Sequence, residues 1–398
     1  MCIRDSQRSV FADRRALARL DFLFLQRLPG LRPSRLVAAG LPLARVNVST
    51  GTLHPQLIGF GARWTAVNGR AEELSVAHGL EQSTAYRNSP YARVFDYGET
   101  IRRRLEGDAD ALEFPVLRDL KAAGMTDYLA MPLLLGAVTR NAATFASGRP
   151  GGFSDDDIAR ITALGPALST VLELLAQRRV TSTLLDVYLG RKAGQRVLAG
   201  EIVRGSGEAI RAVIWSSDLR NFTGLSDLLP GTRVIDLLNR VFDTQVAAIH
   251  ARGGEVLKFI GDGLVAIFPI DDIEFAADQC GRAMDAARAA LAANAELNVA
   301  LATEPDAPRV PLAVALHLGE VFFGNIGGQD RLDFTVIGPA VNAVSRLEKV
   351  AKVLSRDLVV TGDFAAASGR RDLDSLGVHP LRGFNEPIEV FGLKPRFR

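Results

Sequence analysis

Short runs of alternating apolar and polar residues dominate the first part of the chain. The runs at 41–50 and 54–64 predict one pair of strands, and those at 126–136 and 142–152 predict a second pair. Helical spacing and turn residues separate the two pairs. The pattern over 34–163 therefore indicates a domain that mixes helices and antiparallel strands.

Two helical segments flank this domain. The N-terminal segment 1–33 is predicted to hold an amphipathic helix over about 8–28. At the other end, Ser154 and Asp157 form a capping-box pattern that starts a helix at Asp155.

That second helix carries a largely apolar stripe with alternating spacings of four and three residues, at Leu164, Leu168, Val171, Leu175, Arg178, Ser182, Leu185 and Leu189. The polar residues Arg178 and Ser182 weaken the middle of this stripe. Such a stripe is typical of a parallel coiled coil, and it predicts a helical dimerisation linker over 164–208. A helix packed on its own domain would show the same stripe.

The remaining segment, 209–398, alternates strands and helices and predicts an α+β domain. Apolar runs that read as buried strands lead into Asp218 and Asp262, and the second run forms a hairpin with Gly-Asp-Gly at its tip. Gly319 is predicted to break 310–326 into two strands. A buried carboxylate needs a partner, and two carboxylates on adjacent strands suit Mg²⁺ or Mn²⁺.

Composition narrows the possible classes of function. The 398 residues carry a formal net charge of +2, so the sequence lacks the strong positive charge that is typical of nucleic-acid-binding proteins. Cys2 and Cys280 are the only cysteines, which excludes a disulfide framework and fits a cytoplasmic protein. No apolar run approaches eighteen residues, so no membrane span is expected.

Three stretches together resemble a known family. AVIWSSDLRNFTG and the following residues to 268 are similar to the opening of a class III nucleotidyl cyclase domain. Residues 316–348 are similar to its second half, and 376–393 to its closing strands. The resemblance covers 209–398 and implies a ferredoxin-like α+β fold.

The resemblance also implies a reaction. The ribose 3′-hydroxyl of a nucleoside triphosphate attacks the α-phosphate and pyrophosphate leaves, at sites shared by the two chains of a homodimer. Asp218 and Asp262 match the family's metal ligands, and Leu219 matches the position whose carbonyl helps to bind one metal. Two Mg²⁺ or Mn²⁺ ions per site are expected.

Further matches concern the substrate. Lys258 and Thr335 match the purine-reading positions, where an ammonium donor and a hydroxyl acceptor suit adenine and hence ATP. Asp333 is a competing candidate for contact with the base. Asn342 matches the residue that orients the ribose, and Arg346 the residue that neutralises charge on the α-phosphate.

Arg382 matches a basic position that contacts the β- and γ-phosphates, although surface arginines are common. Two departures from the family stand near the phosphates. Asn221 replaces a usual glycine, and Ala313 stands where many members have a phosphate-binding arginine. None of these changes removes a metal ligand.

The sequence therefore predicts an adenylate cyclase that makes cyclic AMP. A guanylate cyclase and a catalytically silent nucleotide-binding module are the alternatives. The domain at 34–163 resembles a GAF-like sensor for an unknown small molecule, an unrelated α+β domain being the alternative.

Overall fold

The computed structural model describes residues 32–133, 141–304, 308–381 and 386–394. The chain divides into two compact units, Met1–Leu184 and Leu185–Arg398. The predicted helix over 8–28 and the candidate Arg382 lie outside the described residues.

The N-terminal unit is built on a six-stranded antiparallel sheet in the order β3-β2-β1-β6-β5-β4. Its strands are β1 (Arg45–Gly51), β2 (Leu57–Thr65), β3 (Ala71–Ala77), β4 (Ile101–Arg104), β5 (Asp127–Pro132) and β6 (Asn141–Ser147). Both predicted strand pairs are therefore confirmed. β1 also pairs with β6, which joins the two pairs into one sheet.

The helices of this unit are α1 (Pro33–Ala38), α2 (Thr84–Arg87), α3 (Pro90–Tyr97), α4 (Pro115–Ala122), α5 (Asp155–Ala163) and α6 (Gly165–Leu189), with a 3₁₀ turn at Leu80–Gln82. Alternate residues of the strands face opposite sides of the sheet. One side packs on α5 and α6, and the other packs on α3 and α4. The mixed α+β class is confirmed, whereas a GAF-like identity stays a prediction.

The start of α5 has the predicted geometry. Ser154 Oγ accepts a hydrogen bond from the Asp157 amide at 3.1 Å, and the Asp157 carboxylate accepts one from the Ser154 amide at 2.9 Å. Both halves of the capping box are therefore formed, which satisfies two amides at the start of the helix.

The apolar stripe along α6 belongs in part to the N-terminal core. Leu168 is buried in that core, and Leu164 and Leu175 pack against it. The packed-helix alternative therefore holds for this half of the stripe, and a coiled coil is not confirmed.

The helical stretch Asp155–Leu189 is long and apolar enough to cross a membrane. Of its most apolar 18 residues, 28% are buried inside the protein. Core helices of soluble proteins meet the same criterion, and buried Glu173 in this stretch accepts a hydrogen bond from Asn141 of β6. The absence of a membrane span stays a prediction.

The C-terminal unit is built on an eight-stranded sheet in the order β13-β14-β12-β10-β7-β9-β8, with β11 paired to β10. Its strands are β7 (Gly207–Leu219), β8 (Glu255–Ile260), β9 (Gly263–Ile270), β10 (Leu312–Gly327), β11 (Leu332–Ile337), β12 (Leu358–Thr361), β13 (Leu373–His379) and β14 (Ile388–Leu393). Trp215, the largest fully buried side chain, lies in the core beneath β7.

The helices of this unit are α7 (Arg191–Leu198), α8 (Phe222–Ser226), α9 (Gly231–His250), α10 (Ala276–Leu301), α11 (Pro339–Val353) and α12 (Gly362–Ser368), with a 3₁₀ turn at Ile273–Phe275. One side of the sheet packs on α9, α10 and α12, and the other packs on α7 and α11. The predicted α+β class of this unit is confirmed.

One predicted strand boundary is wrong. β10 runs without a break through Gly319, which pairs with Ala212 of β7. A Cβ at Gly319 would lie 2.6 Å from the Cβ of Ala340 on α11. Glycine is therefore present because a helix crosses closely above the strand, and not because the chain turns.

Candidate active site

Strand alternation fixes where Asp218 points. In β7 Val213 and Trp215 face α9 and α10, whereas Ala212 and Ile214 face α11. Asp218 is an even-numbered residue near the end of this strand, so its side chain faces α11. It is partly buried, at the edge of the core.

Asp262 lies in the two-residue turn between β8 and β9. A Cβ on the next residue, Gly263, would lie 2.2 Å from the Ser217 carbonyl oxygen, so only glycine lets the turn come this close to β7. The Asp262 carboxyl therefore lies within hydrogen-bond distance of Asp218. Burial and then the neighbouring Asp218 raise the pKa of Asp262 to about 6.

A lysine and a third carboxylate from α11 complete the cluster. Lys352 forms an ion pair with Asp218, and its Nζ lies 3.4 Å from a carboxylate oxygen of Glu348. Glu348 in turn accepts a hydrogen bond from Ser216 Oγ at 3.2 Å. Burial and then the charge of Asp218 raise the pKa of Glu348. Two carboxylates of the cluster, those of Asp218 and Glu348, thus contact one ammonium group.

Sequence reasoning missed this role of Glu348 and Lys352. The structure pairs Glu348 with Ser216 and Lys352. The signal was present in the i, i+4 spacing of a glutamate and a lysine on one helix. That spacing does not reveal that the pair faces the candidate metal ligands.

The donor set at the aspartate pair suits a hard divalent cation. Carboxylate oxygens are the ligands that Mg²⁺ and Mn²⁺ prefer, and Leu219, which follows Asp218 directly in the chain, is buried. No three His, Cys, Asp or Glu side chains form a group that could hold a metal within the described part of the chain. The aspartate pair therefore fits a metal whose remaining ligands come from substrate phosphates and water.

The two predicted purine-reading residues lie on β8 and β11, two strands that are not paired with each other. Lys258 Nζ of β8 lies 3.3 Å from a carboxylate oxygen of Asp333 on β11. Thr335 follows on the same strand, and its buried Oγ1 has no hydrogen-bond partner among the described residues. A buried hydroxyl without a partner is costly, so this atom is available to a ligand.

Asn342 and Arg346 both lie on α11, one turn apart. Asn342 is exposed and Arg346 is half-buried. Glu348 follows Arg346 by two residues, roughly 200° around a helix, so the two side chains leave on different sides. The helix therefore presents Glu348 and Lys352 to its own aspartate pair and directs Arg346 elsewhere.

The comparisons agree with this geometry. Residues 209–367 match the family model of the adenylate and guanylate cyclase catalytic domain. The C-terminal unit belongs to the class III cyclase family.

Individual relatives cover the same part of the chain. An uncharacterised protein of Mycobacterium tuberculosis is 33% identical over 207 residues, which are 50% of this chain and 35% of that protein. An adenylate cyclase of Anabaena cylindrica is 29% identical over 191 residues, 47% of this chain and 36% of the relative. The chain thus spans about a third of the length of these relatives. A bacterial light-regulated adenylyl cyclase of known structure is 29% identical to this chain, with a TM-score of 0.41. The match covers 47% of this chain and 91% of the chain in that structure.

The structure shows the surroundings of the two residues that depart from the family pattern, Asn221 and Ala313. Asn221 has a φ of 60°, in the left-handed region, and it is one of two non-glycine residues with positive φ in the described chain. That conformation explains why glycine is usual there, and asparagine tolerates it better than most residues. Ala313 is fully buried opposite Asp218.

The helix α7, which precedes the cyclase domain, contacts the strands that carry Lys258 and Thr335. Glu255 of β8 accepts hydrogen bonds from the amides of Lys192 at 2.8 Å and Ala193 at 3.4 Å, at the start of α7. The Arg196 guanidinium of α7 lies 5.5 Å from the ring centre of Phe334 on β11. α7 therefore touches both the strand that carries Lys258 and the strand that carries Thr335.

The lysine inside the carboxylate cluster gives a first prediction. The ammonium of Lys352 repels a metal ion approaching Asp218, so Lys352→Met should tighten Mn²⁺ binding to the nucleotide-free protein. We expect about tenfold, or ~1.4 kcal/mol, a modest repulsion for partly exposed charges at this distance. Titration followed by the EPR signal of free Mn²⁺ measures the change directly.

Lys349→Met is the matched control, because Lys349 is an exposed lysine on the same helix and the charge change is the same. It should leave Mn²⁺ affinity unchanged. Weaker or unaltered binding by Lys352→Met would mean that the lysine instead holds Asp218 in place for the metal.

Proposed function

We propose that this protein is an adenylate cyclase that converts ATP to 3′,5′-cyclic AMP and pyrophosphate in a homodimer. The observation that carries the proposal is the pair of adjoining carboxylates, Asp218 and Asp262, in a cyclase domain that also retains Asn342 and Arg346. A silent nucleotide-binding module would have no use for this complete set.

The residues of the aspartate pair define the chemistry. Asp218, Asp262 and the carbonyl of Leu219 would hold two Mg²⁺ or Mn²⁺ ions, which lower the pKa of the 3′-hydroxyl and balance phosphate charge when bound. The 3′-oxygen forms a bond to the α-phosphorus as the bond to the β-phosphate oxygen breaks. The hydroxyl proton is released to solvent and pyrophosphate departs with the electron pair.

The side chains on α11 act on the reacting groups. Asn342 orients the ribose, and the planar guanidinium of Arg346 stabilises charge that grows on the α-phosphate oxygens. Arg382 is assigned to the β- and γ-phosphates. Arg346 leaves α11 away from the aspartate pair of its own chain, which supports an active site completed by a second copy.

We assign selection of the base to side chains of β8 and β11. The Lys258 ammonium donates to adenine N1, and the unpartnered hydroxyl of Thr335 accepts from the 6-amino group. These two contacts favour ATP, because guanine carries a proton on N1 and would face a donor.

One observation favours a guanylate cyclase as the second candidate. The Asp333 carboxylate lies beside Lys258 and can accept from guanine N1–H and its 2-amino group. Both candidates use the same metal and phosphate residues, so only the base distinguishes them.

A turnover assay with Mn²⁺ and either ATP or GTP tests the proposal. We expect cyclic AMP from ATP at a kcat/KM at least about tenfold above that for GTP, as expected when one nucleotide leaves a buried polar group unpaired. Asp333→Asn should keep ATP turnover. Cyclic GTP as the main product, lost in Asp333→Asn, would establish the second candidate, and nucleotide binding without any product would establish a silent module.

We assign regulation to the N-terminal unit, as a sensor whose signal reaches the cyclase domain through α6 and α7. The contacts of α7 with β8 and β11 support this route. We also place the protein in the cytoplasm, which suits its substrate and its content of two cysteines.

A further inference from the structure

Two arginines share one side of the N-terminal sheet. Arg45 of β1 stands opposite Thr65 of β2, and Asn47 stands opposite Arg63. Alternate residues of paired strands face one side, so Arg45, Asn47 and Arg63 are neighbours. This is the side that packs on α3 and α4, since Ala146, the β6 partner of Arg45, belongs to that core.

Among the described residues, no ion pair joins either guanidinium group to a carboxylate. Arg63 Nε donates to Asn47 Oδ1 at 3.3 Å, whereas the Arg45 side chain makes no hydrogen bond or ion pair within the described residues. Burial, followed by the charge of Arg63, lowers the pKa of Arg45. The exposed Glu72 stands opposite Arg63 on β3, yet Arg63 reaches the other way, towards β1.

The remaining polar groups at this position are neutral. The side chains of Asn47 and Thr144 are each 5% exposed. The Tyr128 hydroxyl lies near Thr144, and Ser49 Oγ lies 3.4 Å from the Tyr91 hydroxyl. Both tyrosines lie close enough to Arg45 to act on its charge. None of these groups can neutralise a guanidinium.

We propose that the N-terminal unit binds a small organic anion, whose carboxylate or phosphate group lies between the guanidinium groups of Arg45 and Arg63. Two partly buried like charges repel each other and have lost hydration, and a bound anion offsets both costs. The planar fork of arginine matches the paired oxygens of carboxylate and phosphate. Tyr91, Tyr128 and Asn47 supply neutral hydrogen-bonding groups around this anion.

The site gives the proposed sensor a ligand class, and its test does not depend on nucleotide turnover. The full chain is titrated with inorganic phosphate and, separately, with succinate, in EDTA and at constant ionic strength set with NaCl. Calorimetry gives the affinity, and thermal unfolding gives the shift in Tm. We expect at least one of the two anions to bind and to raise Tm.

Four variants locate the binding. Arg45→Met and Arg63→Met keep the apolar stem and remove the charge, and each should weaken anion binding at least tenfold. Arg70→Met removes an exposed arginine from the β2–β3 connection and should change nothing. Arg346→Met should also retain binding, which separates this site from the phosphate-binding residues of the cyclase domain.

The thermal stability of Arg45→Met in anion-free buffer shows whether Arg45 binds a ligand or only supports the fold. Arg45→Met should be no less stable than the wild type in anion-free buffer, because it removes a repelling charge. Failure of both anions to bind the wild type, equal binding by the arginine variants, or a loss of Tm in Arg45→Met that is the same with and without anion would overturn the proposal. Phosphate binding without succinate binding would assign a phosphorylated ligand, and the reverse a carboxylate.

Discussion

Asp262→Asn should abolish nucleotide cyclisation while leaving the domain folded. The carboxylate adjoins Asp218 in the turn between β8 and β9, and an amide of the same shape cannot replace its charge as a metal ligand. We expect a kcat below about 3% of the wild type, measured as cyclic nucleotide formed with saturating ATP and Mn²⁺, since the metal supplies several kcal/mol to the transition state.

The stability of the same variant separates loss of chemistry from loss of fold. Asp262 and Asp218 are like charges in contact, so removing one should leave thermal stability in EDTA unchanged or higher. Asp271→Asn, at an exposed position just after β9, is the matched control and should keep full activity. Residual turnover above a few per cent in Asp262→Asn would place the metal site elsewhere.

Arg346→Ala should lower kcat by roughly a hundredfold or more and change KM much less. Its contact with the α-phosphate oxygens strengthens as charge develops, and removal of one such donor typically costs ~3 kcal/mol in the transition state. Initial rates over a range of ATP concentrations separate the two constants. Lys349→Ala, on the exposed side of the same helix, should behave like the wild type.

Mixing Arg346→Ala with Asp262→Asn tests where the arginine acts. If each site combines the aspartates of one chain with the arginine of the other, a mixed dimer holds one intact site. Random pairing makes half the dimers mixed, so about a quarter of the wild-type activity should return. No recovery after demonstrated subunit exchange, or an effect of Arg346→Ala on KM alone, would remove the arginine from the shared transition-state site.

The aspartate pair was accessible from the sequence because short-range rules determine it. Apolar runs that end in turn residues define β7 and the β8–β9 hairpin, and strand alternation sets the side to which Asp218 points. The motifs around 212–268 and 316–348 then identified the cyclase domain, which the family model confirms over 209–367.

The partners of these residues depend on distant parts of the chain. Lys352 meets Asp218 across 134 positions, and Lys258 meets Asp333 across 75. No local pattern states which helix crosses which strand, so the sequence left Lys352 unnoticed. Gly319 is a similar case, because the residue that excludes a side chain there is Ala340 of a crossing helix.

The N-terminal unit shows the same contrast between features that neighbouring residues determine and features that distant residues determine. Sequence periodicity by itself determined its strands and the capping box at Ser154, since each rests on neighbouring residues. Only the tertiary structure decided that Leu168 packs into its own core and that Arg45 and Arg63 share one side of the sheet. Helical spacing cannot say what covers an apolar stripe, and a strand's register with its neighbour is set by pairing and packing across the sheet.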